Sequence, residues 1–401
     1  MVFRILVRVL AVAPFVFFAC KPGQMSRSTS NQEMAARQDS IARMDSIRIA
    51  DSLAVVQRKI DSLAWEKNAV AIDAYRLLKD TVTLIGVGDI MMGTNFPSEQ
   101  YLPGENLLKP VNSILQDADV TFGNHEGVIL NEGGDPKRCS DPDLCYIFRT
   151  PISYAPYLTE AGFDVMSLAN NHAGDFGQPG RESSMKTLDS LGIYHAGQLQ
   201  RPYVTFEQDG MRYGFAAFSP NTGTVSINDL DGAIDIIKHL DSISDIVIVS
   251  FHGGAEGNKY EHITREREYF YGENRGNVYE FAHTLIDNGA DVIFGHGPHV
   301  TRAVEVYNDR FIAYSLGNFL TYGRFNLRGV NGIAPIVKVF TDGNGKFYKA
   351  KVTSIIQRGA GGPVVDTQDR AWKKLKELTQ EDFPEVPLYF EEGGVITYIK
   401  Q

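Results

Sequence analysis

Residues 291–299 read Asp291-Val292-Ile293-Phe294-Gly295-His296-Gly297-Pro298-His299, a short apolar run that stops at glycine and opens into two imidazoles three residues apart. A run this short and apolar predicts a buried strand. In open α/β sheets, ligands bind just beyond the carboxyl ends of such strands. The same pattern recurs upstream. The apolar run 81–87 leads into Gly88-Asp89, and 120–123 leads into Asn124-His125-Glu126. Run 164–168 leads into Asn170-Asn171-His172, and 245–251 into His252-Gly253-Gly254. Five predicted strands thus end in carboxylate, amide or imidazole.

Amphipathic segments lie between these runs, and several stop at Gly162, Gly192 or Gly289, as helices with a C-terminal glycine do. Asp209-Gly210, Asn308-Asp309 and Asp342-Gly343-Asn344-Gly345 separate β-rich runs and predict hairpin turns. Residues 372–378 read as helix and 395–399 as strand. The sum is an α/β domain with added hairpins over residues 81–401, rather than an all-parallel sheet.

Ahead of that domain the composition differs. Arg4 and Arg8 precede an apolar segment at 9–18, too short to span a bilayer, so residues 1–20 read as a lipoprotein signal peptide. The end, Phe17-Phe18-Ala19-Cys20, looks like a lipobox, with Cys20 as the lipidated first residue of the mature chain. An ordinary cleaved signal or an uncleaved anchor are the alternatives. All three place the remainder outside the cytoplasm, as a membrane-anchored lipoprotein facing the periplasm or cell exterior in the first case. Residues 21–80 predict a tether and a helical stalk: Ile49, Leu53, Val56, Ile60 and Leu63 repeat at 4-3-4-3 spacing on one helical stripe. In an oxidising compartment Cys139 and Cys145 predict a disulfide that staples a loop.

The net charge of -10 leaves no basic field to neutralise phosphates, which argues against nucleic acid as a partner. The strand-end residues instead suit cations. Asp and Glu supply charge and can bridge two ions, Asn offers a neutral carbonyl oxygen, and His a neutral nitrogen donor. Such a set predicts two divalent ions (Mn, Fe, Zn or Mg), which together clamp a phosphoryl group and acidify water.

Several motifs resemble the CapA family of capsule (poly-γ-glutamate) synthesis proteins in order and spacing. They are Gly88-Asp89, Asn124-x-Glu126, Ser167-Leu168-Ala169-Asn170-Asn171-His172-Ala173, Gly295-His296-x-Pro298-His299 and Tyr314-Ser315-Leu316-Gly317-Asn318-Phe319. The resemblance covers about 81–318. It implies kinship with calcineurin-like metallophosphatases, and hence a β-sandwich flanked by helices, here preceded by the stalk. By that analogy Asp89 ligates one ion, Glu126 takes the bridging place, Asn171 is the amide ligand and His172 is the catalytic imidazole. His252, His296 and His299 complete the metal set. The family's first motif departs here: where phosphatases have Asp-x-His, Asp89 is followed by Ile90 and Met91. Gly123-Asn124-His125-Glu126 looks like a phosphatase signature, but its place after the second strand is that of the bridging carboxylate, so His125 is not assigned catalysis.

Two functions are consistent with these residues. One is a metal-dependent hydrolase of the phosphoesterase type, acting outside the cytoplasm on an anionic envelope polymer or its precursor. The other is a non-catalytic component that binds and exports such a polymer within a membrane-bound assembly of capsule proteins, with Arg149, Arg302 or Arg324 beside the pocket.

Overall fold

Leu84 and Ile85 are neighbours in the first strand, yet they pack into different cores. That period-two alternation is what a strand buried on both faces requires. The computed structural model describes residues 81–139 and 146–399. The expected signal peptide, Cys20, tether, stalk and Cys145 lie outside the described residues. Cys139 is disulfide-bonded.

In chain order the strands begin with β1 (Val82–Met91), β2 (Val120–His125), β3 (Val128–Ile129), β4 (Arg149–Thr150), β5 (Val165–Ser167) and β6 (Tyr194–Ala196). There follow β7 (Tyr203–Gln208), β8 (Met211–Phe218), β9 (Ile246–His252), β10 (Tyr269–Phe270), β11 (Glu273–Asn274), β12 (Val292–His296), β13 (Val304–Tyr307) and β14 (Arg310–Ala313). The last are β15 (Asn318–Thr321), β16 (Ile333–Thr341), β17 (Phe347–Gln357), β18 (Pro363–Val365), β19 (Leu388–Glu391) and β20 (Val395–Tyr398). One sheet has the order β19-β20-β17-β16-β1-β2-β5-β6, with β15 also on β1 and β18 on β17. The second has the order β13-β14-β12-β9-β8-β7.

The two sheets face each other across a shared core that holds Leu84, Phe122 and Val337 from one and Phe215, Ile248 and Phe294 from the other. Phe122 and Phe294 stack with centroids 5.4 Å apart, each contributing about 1.5–3 kcal/mol by leaving water. Helices cover the outer faces. On the first sheet lie α1 (Asn112–Leu115), α2 (Pro156–Ala161) and α3 (Gly177–Ser190), which set Leu115, Leu158 and Leu188 against Ile85 and Met166. On the second lie α4 (Leu230–Ile243) and α5 (Val278–Asp287), with Ile237, Leu240 and Phe281 against Val247 and Ile293. Helix α6 (Arg370–Asp382) contributes Leu375 to the central core and Leu378 to the second outer one. This is the helix-flanked sandwich that the family resemblance implied. None of the helices among the described residues is long and apolar enough to cross a membrane.

Local expectations hold where chain chemistry is decisive. Gly162, Gly192 and Gly289 take φ of 91°, 71° and 112°. Asp209-Gly210 and Asn308-Asp309 form left-handed pairs between β7 and β8 and between β13 and β14. The site-bearing strands depart from expectation: β1, β2, β9 and β12 run further than their apolar runs and contain Asp89, Asn124, His252 and His296. Sheet pairing carries them on. Asp89 sits opposite both Asn124 and Asn318, and His252 opposite His296.

Candidate metal centre

The parallel strands β1 and β2 of one sheet, and β9 and β12 of the other, deliver their carboxyl ends to the same place. Two glycines permit the approach. A Cβ on Gly88 would lie 2.0 Å from the Gly317 carbonyl oxygen, whose bond with the Asp89 N–H (2.8 Å) fixes the end of β1. Gly297, at φ 115°, lets the chain reverse between the two histidines.

Asp89, Glu126 and His299 each offer a ligand atom, all within 4.8 Å of one another. Asp89 is fully buried. Its Oδ1 accepts from Asn124 Nδ2 (2.9 Å) and His296 Nδ1 (3.2 Å), and its Oδ2 from His299 Nδ1 (2.8 Å). Nε2 of His299 lies 3.6 Å from Glu126 Oε1, and Nε2 of His172 lies 3.9 Å from the same oxygen. The His252 and His299 rings are 6.1 Å apart. Asn171, His172, His299 and Asn318 line the inner part of a cavity of about 680 Å³. All the residues expected at the site, Asp89, Glu126, Asn171, His172, His252, His296 and His299, therefore gather at one end of the sandwich.

Burial competes with pairing in setting the electrostatics. It opposes ionisation of Asp89, yet the bonds from His296 and His299 outweigh it and hold that carboxyl well below the usual carboxylate range. Glu126 goes the other way: burial, with the charges of Asp89 and Glu256, pushes it well above its ordinary value. His299 is opposed by burial but raised to about 10 by Glu126 and Asp89. Burial lowers His252 strongly, aided by Arg275, and lowers His172 against the pull of Asp175.

Among the described residues, neither oxygen of Glu126, neither ring nitrogen of His252, nor His296 Nε2 has a hydrogen-bond partner. The same is true of the buried side-chain oxygens of Asn171 and Asn318. Buried polar atoms are ordinarily paired, and leaving one bare costs about 1–3 kcal/mol. Here the unpaired atoms are carbonyl or carboxylate oxygens and imidazole nitrogens, the donor set of a divalent cation. The 2.8–3.2 Å spacings between Asp89 and its histidines fit as well. Ligands about 2.1 Å from one ion and at right angles to each other stand about 3 Å apart. The residues fit a metal.

His172 is positioned differently. Its Nδ1–H donates to Asp175 Oδ2 at 2.8 Å. Asp175 is itself fixed by the Phe148 N–H (2.7 Å) and by Lys137 (2.6 Å). The Phe148 ring packs 4.3 Å from the imidazole. His125 is buried, and burial alone lowers it to about 4; among the described residues its two ring nitrogens have no hydrogen-bond partner either.

The arginines correct the expectation. Arg302 is fully buried in a two-pronged pair with Glu268 (2.8 Å to each oxygen), and Arg149 lies over the Phe96 and Phe176 rings. Neither lines the cavity; Arg324 does, together with Arg275 and Lys137. Sequence reasoning also gave no role to Asp175 or Asn318. Asp175 stands three residues after His172 in one turn, a spacing that could have flagged it. Asn318 belongs to a family motif whose pattern gives it no separate task. Its Nδ2 donates to the His299 and Asn331 carbonyls (3.1 Å each), which fixes its unpaired oxygen.

A two-sheet α/β sandwich with a buried acid–histidine cluster at its strand ends defines a class of protein built around a candidate metal site. Within that class, residues 83–322, more than half of the chain, match the family described as bacterial capsule synthesis protein PGA_cap, and the chain belongs to that family. The chain is 26% identical over 322 residues to the capsule biosynthesis protein CapA of Bacillus anthracis, covering 75% of this chain and 74% of that protein. It is 29% identical over 259 residues to the PGA biosynthesis protein CapA of Bacillus subtilis (strain 168), covering 60% of this chain and 63% of that one. Among solved structures, a purple acid phosphatase from yellow lupin seeds aligns at 11% identity and a TM-score of 0.35, over 73% of this chain and 55% of its own. A likeness that weak bears on neither activity nor substrate.

Proposed function

We propose that this protein is a metal-dependent hydrolase of the phosphoesterase type in the synthesis of poly-γ-glutamate capsule or a related envelope polymer, held outside the cytoplasm by a lipidated Cys20. The unpaired acceptors of Glu126, His252 and His296 carry the metal reading. Asp89, Glu126, Asn171, His252, His296 and His299 would hold two divalent ions. Bound there, such ions supply positive charge to a phosphoryl group and acidify water.

The chain's own residues supply the rest. Asp175 holds Nδ1 of His172, so proton exchange falls to Nε2, on the Glu126 side of the ring. Burial makes a protonated His172 a readier donor. In hydrolysis a water oxygen bonds to phosphorus as the ester P–O bond breaks; the leaving oxygen takes its proton from His172, and the proton that the water gives up returns through solvent to that imidazole. Phe148 and Phe325, stacked 5.1 Å apart, pack against His172 and His299 and hold the two rings in place.

A second reading, a non-catalytic polymer-binding and export component, is favoured by one observation. Met91 is buried where phosphatases of this kind have a histidine. Metal analysis of protein purified without chelator, followed by turnover of a chromogenic phosphoester with Mn²⁺, separates the two. The hydrolase reading expects bound metal and turnover that falls about 10²–10⁴-fold in His172→Ala with metal retained. Metal without turnover of any phosphoester or γ-glutamyl substrate supports the binding component.

A further inference from the structure

Above the metal-type residues the cavity wall becomes aromatic, with Phe148, Phe270, Tyr271 and Phe325 among its lining residues. Tyr271 is 83% exposed, and with Tyr269, at 57%, it forms an uncovered aromatic patch on the β10–β11 hairpin. Tyr271 and Gly272, at φ 46° and 81°, make the hairpin's left-handed turn. Asn, Asp or Gly ordinarily fills the first of those positions, because a Cβ there meets the following carbonyl. A tyrosine that is strained by its backbone, and left exposed apart from an edge contact with Phe270, is explained by neither turn chemistry nor the core. Such conflicts concentrate at functional positions.

Charge narrows the ligand. Lys137 is paired with Asp175 at 2.6 Å, Arg275 with Glu256 and Glu273 at 3.0 and 2.9 Å, and the third lining cation, Arg324, lies over the Tyr101 and Tyr146 rings. The wall therefore mixes acids with its cations and does not present the positive track that a polyanionic chain needs. The ring geometry narrows it further. Phe148 stacks on Phe325 at 5.1 Å, and Phe270 meets Tyr271 at 4.5 Å edge to face. Neither pair can take a flat base between its rings without separating. What remains is a one-sided aromatic platform beside amides (Asn326, Asn331) and the tyrosine hydroxyl. That combination suits a saccharide, whose C–H face lies on a ring while its hydroxyls bond to amides.

We propose that the Tyr271 wall is a subsite for a saccharide ring, carried by the phosphoester whose phosphoryl group meets Asp89, Glu126 and His299. The phosphoryl half rests on the hydrolase reading; the saccharide half does not. The full chain, kept in EDTA so that no metal contributes, is titrated with N,N′-diacetylchitobiose and cellobiose by saturation-transfer NMR, with a γ-glutamyl trimer and adenosine as competitors. At least one saccharide should bind at millimolar concentration. Tyr271→Gly should weaken it at least tenfold without lowering Tm, since glycine suits that turn better than tyrosine does. No saccharide binding, preference for the trimer or for adenosine, or unchanged binding in Tyr271→Gly overturns the proposal. Turnover of a sugar-free chromogenic phosphoester with Mn²⁺ is scored separately. Turnover without saccharide binding sinks only the subsite, and saccharide binding without turnover sinks only the hydrolase reading.

Discussion

Two clusters of acid and histidine meet the second sheet, and they are built in opposite ways. On β13, Glu305 accepts from His283 Nε2 at 2.9 Å and from the fully buried Tyr314 hydroxyl at 2.7 Å, and the His283 ring stacks on Tyr307. Donors and acceptor there match within the protein. At the ends of β9 and β12, His252 and His296 face Glu126 and Asp89 with acceptors left over. Burial of ionisable groups is common to both, so burial does not mark a site. A cluster of several unpaired acceptors facing one another does, because a divalent cation can satisfy them together.

That contrast can be broken by experiment. Glu126→Ala should cut affinity for Mn²⁺ by more than about a hundredfold, beyond the 10–100-fold typical of residues that merely support ligands; Glu305→Ala should leave it unchanged, both read by titration calorimetry. Metal uptake must also expel the proton that His299 retains up to about pH 10 in the metal-free protein. Apparent affinity should therefore climb between pH 6 and 9, about tenfold per unit for each proton released; an affinity flat in pH would contradict the assigned ligand. Stability should invert the order. Glu305→Ala strands the Tyr314 hydroxyl and should cost about 1–3 kcal/mol in urea unfolding. In metal-free protein Glu126→Gln should cost less, since it strands no hydrogen-bond donor and loses the longer 3.6 Å attraction to His299 rather than a hydrogen bond.

Much of this was legible in the chain. Apolar runs that stop at Gly88, Gly253 or Gly295 announce strands whose ends carry polar residues, and these local signals found β1, β2, β5, β9 and β12 and the residues that gather at their ends. Strand length was not legible, because β1 reaches Asp89 and beyond by pairing with Asn318, 229 residues later (318 − 89). Arginine destinations were equally hidden: Arg302 is claimed by Glu268 and Arg149 by two phenylalanine rings, while Arg275 reaches the cavity unannounced. Long side chains go where tertiary neighbours take them, and spacing along the chain does not record that. Asp175 escaped for a different reason, since its role appears only once His172 is seen to need an orienting partner.

The claim that residues from both sheets form one cation site is tested most directly by anomalous scattering from crystals of residues 81–401 soaked in Mn²⁺. Peaks within about 2.0–2.6 Å of side-chain atoms of Glu126, Asp89 and His299 are predicted. Full soaking with no peak there, or with manganese bound only at surface carboxylates, would contradict it.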